Sequence, residues 1–195
     1  MRSDDQAIPH VCYYLFTFKR YRFSEEIDKK RFLDFVLPRI SAPDRALISF
    51  LLLDDELHLE IVHMSGKSGS EEAALVRTVV QLGCRHVFTD ERADAAMTAM
   101  RQDMLVGGCQ ILGTSRYIHR LPIRRGYAYD FRGYWWSSML SYLGIYNWDG
   151  LDIKTTASIC CPNDMQEGIR RFLAVHGLTE KEARKQSRKT KQDLS

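Results

Sequence analysis

No apolar run in this chain of 195 residues approaches the roughly 18–20 residues that a membrane helix needs, so a helical membrane span is not expected. The opening residues, MRSDDQAIPH, contain no apolar leader core, which argues against export. Cysteine is sparse, with five residues, one adjacent pair at Cys160 and Cys161, and no C-x-x-C spacing. Such cysteines read as reduced, mostly buried thiols in a cytoplasmic protein. Internal repeats are absent. The net charge is only +3, too small by itself to argue for a nucleic-acid partner.

What is present is a core-forming composition, 45% hydrophobic against 27% charged, at a length that fits one domain with an appended tail. The positive charge is concentrated. Residues 116–132 hold five arginines against Asp130, a local net of +4, and residues 179–195 hold six lysines or arginines against three acids, a local net of +3. The remainder is acidic on balance. Concentrated basic charge is the electrostatic footprint of a polyanion site.

VCYYLFTFK (11–19) is aromatic and β-branched and predicts a strand. SEEIDKKRFLDFVLPRI predicts a helix capped by Ser24 and ending near Pro38. ALISFLLLD (46–54) predicts a second strand, and ELHLEIVHM (56–64), with strict period-two alternation, a third. SGKSGS (65–70) is a flexible break that ends in a helix cap. EEAALVRTVVQLG (71–83) and ERADAAMTAMRQDMLVGG (91–108) both carry helical composition and spacing. GTSRYIHRL (113–121) predicts a short helix stopped by Pro122. YWWSSMLSYLG (134–144) is a compact aromatic segment whose Trp135 and Trp136 are expected in the core. DMQEGIRRFLAVHG (164–177) predicts a closing amphipathic helix. Strands and helices mix without regular βαβ alternation, which points to an α+β fold with an antiparallel sheet.

Two stretches carry candidate chemistry. In DDELHLEIVHM, side chains two apart share a face, so Glu56, His58 and Glu60 point one way and Leu57, Leu59 and Ile61 the other. Two carboxylates flanking an imidazole suit a divalent cation such as Mg²⁺ or Mn²⁺. An ordinary half-exposed strand with a polar outer face has the same pattern. His63 falls on the opposite face. The second stretch, RYIHRLPIRRG (116–126), gathers Arg116, Arg120, Arg124 and Arg125 around Tyr117, and Tyr127, Tyr129, Phe131 and Arg132 follow. Arginines track phosphates, and aromatic faces stack on unpaired bases at roughly 1–3 kcal/mol each. That mixture suits single-stranded DNA, or a hairpin with an exposed foot, better than plain duplex. A solvated arginine face over an aromatic core is the competing reading. His119, two positions after Tyr117 on a helix, reads as structural.

RYIHRLPIRRG followed by DFRGYWWSSMLSYLG resembles the region of REP-associated tyrosine transposases that usually reads R-Y-I-H-L-N-P-V-R-A-G and then D-Y-P-W-S-S-Y-x-x-Y-L-G. FLLLDDELHLEIV lies where those proteins carry a strand with a histidine–hydrophobic–histidine centre, and LDIKTTASICCPNDMQEGIRRFLAVHG is similar to their closing segment. The resemblance runs in order from about residue 11 to 177. The 65–110 stretch is hardly recognisable and lacks the G-x-L-W-Q-x-R-F signature.

This resemblance implies a ferredoxin-like antiparallel sheet flanked by helices, with a helical C-terminal extension. The implied organisation is an N-terminal tail (1–10), a nuclease domain of the HUH class (11–145), the extension (146–178) and a basic tail (179–195). It also implies a transposase-like single-stranded DNA endonuclease and strand transferase. Tyr117 would attack a phosphodiester with help from a divalent cation, Mg²⁺ or Mn²⁺, leaving a 5′-phosphotyrosine and a free 3′-hydroxyl. His58 aligns with the second metal histidine. Glu56 stands where the first would be, and Leu121 where the family has asparagine. Glu60 is a candidate replacement ligand. Arg116, Arg120, Arg124, Arg125, Arg132 and Tyr127 are the expected DNA contacts. Relatives of this type occur as monomers and as homodimers that share sites, so both assemblies stay open. The alternatives are a descendant that binds DNA without cutting it, or an unrelated α+β protein whose basic helix binds RNA or a protein.

Overall fold

A computed structural model describes residues 9–19, 22–64, 69–88 and 96–178 of the protein. The basic tail at 179–195, most of the N-terminal tail, and residues 65–68 of the glycine–serine break lie outside the described residues. Strand β1 (His10–Phe18) is followed by α1 (Glu26–Ile40), β2 (Arg45–Leu52), β3 (Glu56–His63), α2 (Gly69–Val87) and β4 (Met97–Leu105). The order across the sheet is β2-β3-β1-β4, and every neighbouring pair is antiparallel. This is the expected ferredoxin-like pattern. The chain continues through α3 (Gly107–Arg124), α4 (Met139–Tyr142), α5 (Ile153–Cys160) and α6 (Met165–Val175).

Period-two alternation sorts the two faces of the sheet. Tyr14, Phe16, Leu57, Leu59 and Ile61 face α1 and α2, which cover them with Phe32, Val36, Val76 and Val80. Each fully buried side chain of this size contributes about 1.5–3 kcal/mol. Helix α3 covers the opposite face, laying Ile118 and Leu121 on Tyr13, Leu51 and Leu53.

The outer edge of β2 is closed by the C-terminal part of the chain. The Leu52 amide donates to Trp136 O (2.9 Å), Ser138 N to Phe50 O (3.1 Å) and Asp152 N to Leu47 O (2.8 Å). An unpaired row of backbone groups is thereby satisfied. Beyond it α5 and α6 pack with α4 around Tyr142, Phe172 and Leu173.

Several expectations change. Residues 97–105 form β4, although 91–108 reads as helix. Ala, Met, Arg and Gln favour helix locally, but β1 offers an open edge, and pairing Asp103 with Tyr13 and Met104 with Cys12 fills it. The tyrosine helix is longer than expected, beginning at Gly107 and passing through Pro122 to Arg124. Pro122 lies in the last turn, where little helix remains to break. Amides of Arg125, Gly126 and Tyr127 close the end on the carbonyls of Leu121, Ile123 and Pro122. Helix α1 likewise passes Pro38, and Glu25 rather than Ser24 stands at its N-cap. Trp136 packs on the main core, but Trp135 is 42% exposed. Of the five cysteines only Cys12 and Cys84 are buried.

Candidate functional site

Helix α3 crosses the sheet so that its apolar stripe meets β1, β2 and β3 while Tyr117 sits at the margin, 42% exposed. The Tyr117 ring stands edge-on to His58 with centroids 6.3 Å apart. His58 is buried and held at both nitrogens. Its Nδ1 meets the Tyr13 hydroxyl at 2.7 Å, and its Nε2 meets Glu56 Oε2 at 3.0 Å. Burial pushes the Tyr13 phenol up, so that hydroxyl keeps its proton in its hydrogen bond with Nδ1.

Glu56 is the hinge of this network. Arg125, at the C-cap of α3, places Nη2 at 2.9 Å from Oε1 and 2.8 Å from Oε2. The His58 hydrogen bond, and then the Arg125 guanidinium, hold the Glu56 carboxyl down at about 2 against partial burial. Beside Tyr117, an open cleft of about 310 Å³ is lined by Tyr13, Asp103, Leu105, Gln110, Gly113 and Thr114.

The alternation places Glu56, His58 and Glu60 on one face as expected, but the structure brings only Glu56 and His58 together. Glu60 is fully buried beneath α3, where the Ser115 hydroxyl donates to it and Ser49 hydrogen-bonds Ser115 at 2.9 Å. Burial raises its carboxyl to about 8, with the two serines only partly offsetting that. Among the described residues, no group of three or more His, Cys, Asp or Glu side chains is placed to hold a metal. The donors present do not fit the expected cation. Glu60 is sealed in the core, His58 is engaged at both ring nitrogens, and Glu56 carries a guanidinium against its carboxylate.

The basic residues divide into two groups. Arg116 and Arg124 lie exposed on α3, with no ion pair among the described residues. Arg124 follows Tyr117 by seven positions, nearly two turns, and so shares its stripe. Arg120 turns inward and donates to His176 O at 3.2 Å, and Arg132 is clamped to Asp130. Tyr129 is fully exposed, Tyr127 is 40% exposed against Tyr134, and Phe131 packs beside His176. His119 is buried between His176 and Ser138, at 2.9 and 2.7 Å, in keeping with a structural role.

Sequence reasoning missed Tyr13, whose signal was the alternation that sends Tyr13 and Tyr14 to opposite faces. It also missed Asp103, because its segment carries helix formers.

No protein-family model matches this chain, and no curated protein matches its sequence. Among solved structures, it is similar to a REP-associated tyrosine transposase bound to a REP hairpin. The likeness has a TM-score of 0.53 at 10% identity, covering 76% of this chain and 90% of that one. It shows a shared fold. Among the described residues, no helix is long and apolar enough to cross a membrane.

Proposed function

We propose that this chain is a tyrosine-transposase-like protein that acts on single-stranded or hairpin-bearing DNA, with Tyr117 as the nucleophile. The observation that carries the reading is the half-exposed Tyr117 standing over the Tyr13–His58–Glu56–Arg125 network, with Arg124 exposed on the same helical stripe. The hairpin-bound state of the similar fold, and the ordered motif resemblance through residues 116–144, support the same direction.

The chemistry balances without an external energy source. Tyr117 Oη bonds to phosphorus and the P–O3′ bond breaks. The downstream strand stays on the protein as a 5′-phosphotyrosine, and the upstream strand leaves as a 3′-hydroxyl. The phenol loses one proton and the leaving oxygen gains one. A phenol is a weak nucleophile at neutral pH, so fixed positive charge at the phosphate must do much of the work. Tyr129 and Tyr127 offer exposed faces to unpaired bases. No step runs through a metal, because the donor set does not fit one.

A hairpin with a single-stranded foot should compete at least about tenfold better than plain duplex of equal length, measured by anisotropy at fixed salt. Equal competition would contradict the reading. A second reading, a DNA-binding descendant without cleavage chemistry, is favoured by the burial of Glu60 and Leu121, which removes both from the site. It predicts the same binding preference with no covalent product.

A further inference from the structure

We infer that Arg125 is itself the cation of this site, standing where a divalent metal would be expected, so that phosphate binding here is metal-independent. This rests on the reading of the site as a phosphodiester site. A guanidinium has five N–H donors in a planar fork. Arg125 meets Glu56 through Nη2 alone, which donates to Oε1 at 2.9 Å and lies 2.8 Å from Oε2 in the ion pair. Its Nε and Nη1 protons make no hydrogen bond among the described residues, and its side chain is 37% exposed. The fork is therefore fixed at one end and open at the other, the arrangement that bidentate phosphate recognition needs.

The rest of the network orients this fork. Tyr13 fixes the His58 ring through Nδ1, His58 fixes the Glu56 carboxylate through Nε2, and the carboxylate fixes the guanidinium. All three are positioning residues for Arg125. Glu56 on this account is a clamp, which explains how glutamate can stand at a position where a metal-binding relative needs histidine. Glu60 is free to be buried for the same reason: there is no metal shell left for it to complete.

The test uses the full-length protein and a hairpin with a single-stranded foot. Mn²⁺ titration followed by electron paramagnetic resonance reads metal binding, and fluorescence anisotropy in chelator reads DNA affinity. The wild type should leave the free Mn²⁺ signal unchanged at several hundred micromolar metal and bind the hairpin equally well with or without chelator. Arg125→Met should weaken hairpin binding about tenfold, with Arg125→Lys recovering little because the fork is lost. One equivalent of Mn²⁺ bound by the wild type and lost in Glu56→Gln would overturn the inference, as would Arg125→Met binding like wild type. A wild type that binds no hairpin in any condition would instead remove the phosphodiester reading and this inference with it.

Discussion

Glu60 shows how much one buried carboxyl can report. Its folded value near 8 against an ordinary 4.5 means the folded protein keeps a proton that the unfolded chain releases. Stability therefore falls as pH rises from about 4.5 to about 8, and is level beyond it. Glu60→Gln removes this dependence. The variant should gain on the order of 3 kcal/mol over wild type at about pH 7, and almost nothing at about pH 4, in urea denaturation. A difference that stays constant with pH would contradict the burial argument. The buried histidines act in the opposite sense. Burial holds His176 down at about 4 and His119 well below its ordinary 6.5, so their contribution is complete above about 6.5 and is lost as pH falls toward 4. Comparing variant with wild type at each pH separates the two effects.

At the scale of elements, legibility followed local consistency. β1, β2 and β3 were readable because aromatic, β-branched and alternating residues all favour strand there. β4 was not, because its residues prefer helix and only the open edge of β1 makes it a strand. Helix α3 was read too short, since a proline in a last turn costs far less than one in the middle. Its exposed stripe makes a prediction of its own. Arg116→Ala and Arg124→Ala should each weaken hairpin binding and each reduce the salt slope of log K by about 1, if both meet phosphates. An unchanged slope would place the strand elsewhere. The α5–α6 pair depends on Gly168, where a Cβ would fall on the carbonyl of Ala157. Gly168→Ala is expected to cost at least about 2 kcal/mol in denaturant unfolding, despite alanine's better helix propensity. A stabilised variant would mean that α6 can move away from α5 at little cost.

For the molecule as a whole, the sheet is the platform, α3 is the arm across it, and the C-terminal segment along β2 holds the covering layer in place. The motif order along the chain made the fold legible, and Tyr117, Glu56 and His58 could be proposed from residue types and spacing. The network that joins them could not. Tyr13 reaches His58 from 45 residues away and Arg125 reaches Glu56 from 69, contacts that depend on strand order and on where α3 ends. The central claim is that Tyr117 becomes covalently joined to a DNA 5′-phosphate. Intact-mass spectrometry of the full-length protein after incubation with hairpin-bearing single strands tests it most directly. The account predicts an added mass equal to the downstream strand, mapped to Tyr117, formed in chelator and missing from Tyr117→Phe. Hairpin binding with no added mass, or an adduct that persists in Tyr117→Phe, would contradict it.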